Sequence, residues 1–313
     1  MNSFDFVQDV YKNKQKKSLS IGSRNFLNFS FKSPRFEASN LRISPLSSIF
    51  TAKMYFLWHM HCCENFSRFY EDDGFAFHAD WRVPYTACGP DGNLGLFDFL
   101  RMVTDLSSED IYRRGTSMSF LVSHGYARVL ARSAFRFYRM PRNDERIEFV
   151  TTEWKPESLQ FVRDYKVKGE DGELLVAGLS KWLVTDFSTR KILPTRTLEK
   201  FRKLNTVPFE GCEVSCGKIP FPENLEKVAE RKIERSQIDG NAHVDNAFYG
   251  AFIMDALPAE FAERKLNEFR INYARELLLR DVVEIYLAKT GENRVTVVGT
   301  KNGDVAFTGE LGF

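Results

Sequence analysis

The chain has 313 residues, with 44 Lys and Arg against 42 Asp and Glu, 43% hydrophobic and 14% aromatic residues, and a mean hydropathy of −0.33. These values are typical of a folded chain with room for about two domains, and they exclude a disordered or fibrous protein. A membrane-spanning helix needs ~20 uncharged apolar residues, and the most apolar stretch, 49–63, contains Lys53 and two histidines. We therefore expect no stable membrane insertion.

The N-terminal segment 1–64 is predicted to be a disordered or non-native extension. Its first 53 residues contain ten Ser and no sustained apolar periodicity. A basic, Ser-rich segment is typical of an organelle transit peptide, but translated sequence upstream of a start at Met54 or Met60 has the same composition. We favour the second interpretation and a cytoplasmic location, with a plastid as the alternative if residues 1–53 are a transit peptide.

The charge distribution indicates which partners the chain can bind, and the cysteine content indicates the redox state of its compartment. Residues 1–64 hold nine Lys and Arg against four Asp and Glu, whereas the remaining chain holds 35 against 38. The mildly acidic remainder removes support for a nucleic-acid partner. The five cysteines have no regular spacing, which favours a reducing compartment. The histidines and cysteines of 59–63 lack the spacing of zinc ligands, so no metal and no cofactor are predicted.

An internal repeat is the most informative feature of the chain. The block 91–95 reads Asp-Gly-Asn-Leu-Gly and precedes a helical apolar pattern over 96–106. The block 239–243 reads Asp-Gly-Asn-Ala-His and precedes a similar pattern over 247–257. This match predicts that one unit occurs twice.

Two further matches follow in the same order. Residues 143–149 and 280–285 each open a strand, and 169–177 and 301–307 each form a hairpin turn that leads into a strand. Each unit is predicted to contain a strand, a turn, a long helix and then three or four antiparallel strands. Since the helices are apolar on most sides, the strands should wrap around them as a curved sheet, which gives an α+β fold.

The order of these elements resembles the hot-dog fold, and two tandem copies resemble the double hot-dog of acyl-ACP thioesterases. In the first half the resemblance includes Arg-Val-Leu-Ala-Arg at 128–132, Thr-Thr-Glu-Trp at 151–154 and Ser-Lys-Trp at 180–182. It implies a non-catalytic N-terminal hot-dog, residues 65–205, that binds the acyl chain. A catalytic C-terminal hot-dog would occupy 206–313.

The second half carries the catalytic motif of that family. Residues 239–246 match its pattern Asp-x-Asn-x-His-Val-x-Asn. The strand 269–276, which ends in Tyr-x-x-Glu, and the later Asp281 resemble the bacterial branch. Plant members have adjacent Glu and Cys where this chain has Asn272 and Tyr273, which argues against the plant branch. Arg280 replaces the family's usual glycine, so we expect a different bend there.

Four side chains are candidates for thioester hydrolysis, which needs an activated water and donors aimed at the carbonyl oxygen. His243 can act as a base or a donor, while Asp239 can orient it or the water. Asn241 offers an amide NH2 to the carbonyl or water, and N–H groups at the start of the next helix add a positive field. Glu276 is the candidate second carboxylate.

Each of these side chains has a purely structural alternative. Asp and Asn before a helix are ordinary turn and N-cap residues, and a strand glutamate beside Arg270 or Arg275 is often only a solvated ion pair. The first copy has Gly95 where the second has His243, which predicts that it shapes the fold without catalysing a reaction. Cys88 and Cys212 have no base at motif spacing, so no thiol nucleophile is proposed. The remaining histidines and aromatic residues are expected to be structural or core: His78, His124, Phe97, Phe99, Phe248, Phe252, Trp154 and Trp182.

The resemblance implies a hydrolase that converts acyl-ACP to free fatty acid and ACP in fatty acid biosynthesis. The partner would be an acyl carrier protein that bears a phosphopantetheine-linked acyl chain, and a homodimer is allowed. An acyl-CoA thioesterase and a non-catalytic acyl-thioester sensor remain alternatives, whereas a hot-dog dehydratase fits the motif less well. Because ACP is acidic, basic residues should dock it. The candidates are Arg113, Arg114, Arg132, Arg136, Arg139 and Arg142.

Overall fold

The computed structural model describes residues 66–72 and 74–313, which form one antiparallel sheet of twelve strands and four α-helices. The predictions for residues 1–64, including the transit peptide and the cluster 59–63, lie outside the described residues. The first half contains β1 (Arg68–Tyr70), β2 (Ala76–Arg82), α1 (Leu96–Arg113), α2 (Met118–Ser123), β3 (Tyr126–Phe137), β4 (Arg146–Glu153), β5 (Phe161–Lys168), β6 (Leu174–Asp186) and β7 (Ile192–Leu193). The second half contains β8 (Glu226–Lys232), α3 (Asn246–Asp255), α4 (Ala259–Ala262), β9 (Glu268–Tyr273), β10 (Val282–Gly291), β11 (Arg294–Lys301) and β12 (Asp304–Gly312).

The order of the strands confirms the duplicated architecture. Across the sheet, the first repeat runs β2-β4-β5-β6-β3 and the second continues β9-β12-β11-β10-β8, which is the same order reversed. The two repeats meet where β3 pairs with β9, from Arg132 opposite Asn272 to Arg136 opposite Glu268. The predicted fold, a tandem double hot-dog, is therefore correct.

The long helices pack against each other as well as against the sheet. Gly250 in α3 allows this contact, because a Cβ atom there would lie 2.6 Å from Cδ1 of Leu100 in α1. The rings of Phe97 and Phe248 also meet, with centroids 4.6 Å apart. Helix α1 extends beyond the predicted 96–106 to Arg113. Its polar last turns include Asp110, which is fully buried and ion-paired with Arg163.

The loops before α1 and α3 align with each other in a register that differs from the one predicted from the sequence. The N–H of Gly89 donates to the carbonyl of Asn93 at 2.9 Å, as the N–H of Asp239 does to the carbonyl of His243 at 2.8 Å. Gly89 and Asn93 are therefore the counterparts of Asp239 and His243, and Gly95 corresponds to Asp245, the residue before α3.

The predicted match of Asp91 with Asp239 is thus wrong by two residues. Each aspartate closes a local turn onto the asparagine two positions later, with N–H to Oδ1 distances of 3.0 Å to Asp91 and 2.8 Å to Asp239. The same Asp-Gly-Asn turn therefore occurs at a different place in each loop. An alignment by residue identity superposes the two turns and not the backbone positions. In the first repeat, Gly89 and Asn93 stand at the positions of Asp239 and His243, so that loop has neither the carboxylate nor the imidazole.

Backbone geometry also explains the residue at 280. Asp144 and Arg280 precede β4 and β10, with φ values of 67° and 71°. Each donates its N–H to the carbonyl of the residue that directly follows β2 or β8: Asp144 to Val83 at 2.9 Å and Arg280 to Ile233 at 3.0 Å. Arg280 thus adopts the left-handed conformation that favours glycine. The different bend expected at this residue stays a prediction.

The connection between the repeats is held against the outer face of the sheet. Cys216 packs with Ala134 and Leu179 there. Asn272 anchors the same connection, since its Oδ1 accepts the N–H of Ile219 at 2.8 Å. Residues 67–313 consequently form one compact unit. The boundary predicted between residues 205 and 206 lies in this connection and stays a prediction.

A buried ion cluster ties the end of α1 to β3, β4 and β5. Arg163 Nη2 lies 2.6 Å from Asp110 Oδ2 and 3.5 Å from Glu153 Oε2. Glu153 also pairs with Arg128 at 2.8 Å and with Arg202. Burial alone raises the pKa of Glu153, but the three guanidinium groups outweigh it and hold that pKa far below its ordinary value.

Glu153→Gln should lower the free energy of unfolding by about 3–5 kcal/mol, because it leaves buried guanidinium groups without their counter-charge. A depressed pKa in the folded state means that this stability is complete above the ordinary value of 4.5 and is lost as pH falls below it. Urea unfolding at pH 7 and pH 4 measures both effects. Glu157→Gln, at an exposed pair with Lys181, is the control and should cost less than about 1 kcal/mol.

Candidate active site

The loop before α3 is organised around the carboxylate of Asp239. Its Oδ1 accepts the backbone N–H of Asn241 at 2.8 Å and that of His243 at 3.4 Å, and its Oδ2 accepts Asn241 Nδ2 at 3.2 Å. Ala242 takes a left-handed φ of 67° to complete the turn. These contacts fix the direction in which the side chain of His243 leaves the loop.

Capping of the helix falls to a different residue. Asp245 is the N-cap of α3, and its Oδ1 accepts the N–H of Ala247 at 2.8 Å. The structural alternative for Asp239 and Asn241 is therefore half correct, because they form the turn but do not cap the helix. Asp239 also lies near the imidazole, with its Oδ1 4.0 Å from His243 Nδ1.

The imidazole of His243 lies between two carboxylates. Its Nε2 is 3.0 Å from Glu276 Oε2, within hydrogen-bond distance, and its Nδ1 is 4.0 Å from Asp239 Oδ1. The three side chains are 27–37% exposed, so the site is open to solvent. The structure thus brings the predicted residues together, although Glu276 lies on a different segment from the motif.

The ion-pair partners predicted for Glu276 in its structural alternative, Arg270 and Arg275, are wrong. Arg270 bonds instead to Glu310 at 2.8 Å, and Arg275 pairs with Asp304 at 3.2 Å. The reason is the direction of the backbone after β9, which turns the side chain of Glu276 toward the loop of His243. Its neighbours in sequence point to other partners.

The segment that bears Glu276 is anchored to α3. The N–H of Leu277 donates to the hydroxyl of Tyr249 at 3.1 Å, and the carbonyl of Leu277 accepts the N–H of Val244 at 2.8 Å. Burial raises the pKa of Tyr249 above its ordinary value, so its hydroxyl stays protonated. The helix, the motif loop and the glutamate segment are therefore held as one unit.

Sequence reasoning missed one residue that contacts the site. Arg190, in the turn between β6 and β7, places Nη2 2.8 Å from Glu276 Oε1 and Nη1 3.4 Å from Oε2. It is separated from Glu276 by 86 residues and belongs to the other repeat. No local pattern in the sequence could indicate this contact.

A small cavity adjoins the start of α3. Its volume is about 10 Å³, which is room for roughly one water molecule. Trp182, predicted as a core residue, is partly buried and lines it, whereas Phe99 and Phe252 are buried in the core as predicted. The lining comes from both repeats and consists of Leu100, Val103, Thr104, Leu130, Ser133, Phe135, Tyr165, Trp182, Asn246 and Tyr273.

The two other described histidines have structural contacts. His78 lies between Glu148 at 2.8 Å and Glu71 at 3.0 Å. Nδ1 of His124 is 2.8 Å from the carbonyl oxygen of Phe120. Neither lies beside His243. Among the described residues, no group of three His, Cys, Asp or Glu side chains could hold a metal ion, and no helix is long and apolar enough to cross a membrane.

Most of the arginines predicted to dock an acidic partner already face carboxylates. Arg114 has a largely buried side chain paired with Asp110 at 2.7 Å, so its prediction as a docking residue is wrong. Arg139 lies 2.7 Å from Glu145. Arg113 and Arg136 also form ion pairs, with Glu109 at 2.8 Å and Glu268 at 3.3 Å. Arg132 and Arg142 complete the predicted set and stay predictions.

The fold and this site define a tandem double hot-dog protein with a carboxylate–imidazole–carboxylate centre in its second repeat. Two family models match this chain. The family model of the acyl-ACP thioesterase N-terminal domain matches residues 74–201, and that of the C-terminal domain matches residues 223–306. The chain belongs to the acyl-ACP thioesterase family.

Individual relatives are distant. The chain is 24% identical over 192 residues to oleoyl-acyl carrier protein thioesterase 1, chloroplastic, of Arabidopsis thaliana, a match that covers 56% of this chain and 50% of the relative. The chain thus spans about half the length of that relative.

Two solved structures share the fold. An acyl-ACP thioesterase from Bacteroides thetaiotaomicron gives a TM-score of 0.70 at 21% identity and covers 78% of this chain and 100% of its own. The 12:0-ACP thioesterase from Umbellularia californica gives 0.66 at 15% identity, with 76% and 96% covered.

Tyr249→Phe should destabilise the protein by about 1–3 kcal/mol, because it leaves the buried N–H of Leu277 without an acceptor. Thermal or urea unfolding measures the change. Tyr286→Phe, which removes a hydroxyl bonded to Glu284 at 3.3 Å on the second repeat's sheet, is the matched control and should cost less. Equal stability of the Tyr249→Phe variant and the unmutated protein would contradict the anchoring role.

Proposed function

We propose that this protein hydrolyses acyl-ACP thioesters to free fatty acid and ACP at the site formed by Asp239, Asn241, His243 and Glu276. The observation that carries the proposal is the 3.0 Å contact between His243 Nε2 and Glu276 Oε2. That contact joins the Asp-x-Asn-x-His motif to a second carboxylate that only folding brings into place. Membership of the acyl-ACP thioesterase family supports the same activity.

The geometry assigns the tautomer of the imidazole in this proposal. Glu276, as a carboxylate, accepts a hydrogen bond, so Nε2 of His243 carries the proton and Nδ1 has the free lone pair. Nδ1 faces Asp239 across 4.0 Å. A water bound on that side would lose its proton to Nδ1, while Glu276 stabilises the imidazolium that forms.

The reaction then follows from the positions of the groups. The activated water adds to the thioester carbonyl carbon, and the developing negative oxygen is stabilised by the Asn241 amide NH2 and the N-terminal end of α3. When the carbon–sulfur bond breaks, the imidazolium returns its proton to the phosphopantetheine sulfur. The products are a carboxylic acid and a thiol.

The acyl chain would enter between the repeats beside the small cavity. Most side chains around that cavity belong to the first repeat, including Leu130, Tyr165 and Trp182. A volume of about 10 Å³ is far too small for an acyl chain. We therefore infer that Trp182, a partly buried residue at the cavity wall, must move with its neighbours before substrate binds.

ACP carrying the acyl chain on its phosphopantetheine arm is the proposed partner. The relative named an oleoyl-acyl carrier protein thioesterase supports this choice. A homodimer is compatible with the fold and stays a prediction, to be tested by the molar mass in solution. No cofactor enters the proposed reaction, because water and the protein's own side chains supply every group.

His243→Ala and Glu276→Gln should each lower kcat/KM for acyl-ACP by about 10²–10⁴-fold, since each removes part of the general base. Asp239→Asn should lower it as well, by weakening the field beside Nδ1. Asn93→Ala is the matched control, because Asn93 occupies the position of His243 in the first repeat. Its activity should equal that of the unmutated protein. Full activity in His243→Ala would show that the assigned site is wrong.

Selectivity for the carrier separates this proposal from its alternatives. We expect kcat/KM to be higher for acyl-ACP than for acyl-CoA with the same acyl chain, because ACP adds a protein surface to the contact. A preference for acyl-CoA would make the protein an acyl-CoA thioesterase. Acyl thioester recovered intact after long incubation, but bound, would make it a sensor. Mass spectrometry of the released acids measures turnover and chain length together.

A further inference from the structure

The turn between β6 and β7 reaches from the first repeat to the candidate site of the second. Strand β3 starts at Tyr126 opposite Asp186, the last residue of β6. Strand β9 runs antiparallel to β3 and ends at Tyr273. The chain that leaves β9 therefore heads toward the start of β3 and toward the turn that follows Asp186, where Arg190 meets Glu276.

This turn is ordered by its own hydrogen bonds. Oδ1 of Asp186 accepts the N–H groups of Ser188 at 3.1 Å and Thr189 at 2.7 Å, together with the Thr189 hydroxyl at 2.9 Å. Arg190 then takes a left-handed φ of 61° and donates its N–H to the Asp186 carbonyl at 3.0 Å. A non-glycine residue in this region is uncommon. The turn thus presents the guanidinium in a defined direction.

The guanidinium engages both oxygens of the Glu276 carboxylate. Nη2 to Oε1 is 2.8 Å and Nη1 to Oε2 is 3.4 Å, and the same Oε2 lies 3.0 Å from His243 Nε2. A two-point contact fixes the plane of the carboxylate as well as its position. Since Arg190 and Glu276 are 48% and 37% exposed, the pair contributes little to folding stability.

We propose that Arg190 is a positioning residue for hydrolysis, supplied by the first repeat, which holds the Glu276 carboxylate in the plane required to orient His243. This inference rests on the proposed function. It gives the repeat that lacks the imidazole a direct part in the site. Arg190 acts through Glu276 and does not touch the reacting atoms.

The test compares Arg190→Ala, Arg190→Lys and Arg275→Ala with the unmutated full-length protein on acyl-ACP. Arg275 adjoins Glu276 in sequence but pairs with Asp304 at 3.2 Å, so it is the matched control. We expect Arg190→Ala to lower kcat by about 10-fold or more with little change in KM or in the melting temperature. Arg190→Lys should recover part of the loss, because it restores charge without the two-point contact. Arg275→Ala should change none of these quantities.

A double-mutant cycle identifies the route of the effect. In a Glu276→Gln background, Arg190→Ala should add little further loss, because the carboxylate it holds is already gone. Independent, multiplicative losses would overturn the proposal, as would unchanged kcat in Arg190→Ala. If His243→Ala also kept full activity, the proposed function would fail together with it, whereas loss in His243→Ala alone would reject only the role of Arg190.

A spectroscopic readout keeps the test independent of turnover. The 15N imidazole signals of His243 are assigned by their disappearance in His243→Asn. They should report the Nε2–H tautomer in the unmutated protein and shift in Arg190→Ala but not in Arg275→Ala. Signals of His243 that do not respond to Arg190→Ala would contradict the proposal even for an enzyme whose substrate differs from acyl-ACP.

Discussion

The pairing of β3 with β9 is the interaction on which the rest of the structure depends. Five residue pairs, from Arg132 opposite Asn272 to Arg136 opposite Glu268, turn two half-sheets into one. An isolated repeat would expose the edge of β3 or β9, and unpaired edges bind other chains readily. The same pairing brings α1 against α3 and directs the chain after β9 toward the first repeat.

The candidate site follows from that junction in a short series of contacts. The carboxylate of Asp239 shapes the loop that bears His243, and the hydroxyl of Tyr249 holds the segment after β9. Glu276 on that segment contacts the imidazole of His243. Arg190 completes the arrangement from the other repeat. The first repeat has Gly89 and Asn93 in place of the acid and the imidazole, so its loop lacks the side chains of this arrangement.

The sequence was sufficient for the parts of this account that depend on local pattern. Apolar periodicity placed α1 and α3, and ordered repeats predicted the duplicated sheet. The motif at 239–246 pointed to His243, which the structure places beside Glu276. Local pattern failed where backbone hydrogen bonds decide the correspondence, so the two Asp-Gly-Asn turns were matched two residues out of register. It also assigned Arg114 to the surface, although burial of Asp110 draws that side chain inward.

Contacts between segments that are distant in sequence could not be predicted, for a physical reason. Nothing near Arg190 or Glu276 encodes their meeting, because it results from the relative lengths of β3, β6 and β9 and the direction of the turns that follow them. Glu276 was predicted on family resemblance, with Arg270 or Arg275 as alternative partners. Only the three-dimensional arrangement shows that both arginines bind other carboxylates.

The most direct test of the central claim is a crystal structure with an acyl-phosphopantetheine analogue in which a stable amide replaces the thioester. The account predicts the amide carbonyl carbon beside His243 Nδ1 and Asn241, with the acyl chain between the repeats and Trp182 displaced. The loop at 89–95 should make no contact with the carbonyl. A carbonyl bound at that loop, or an acyl chain held away from His243, would contradict the assignment of the site to the second repeat.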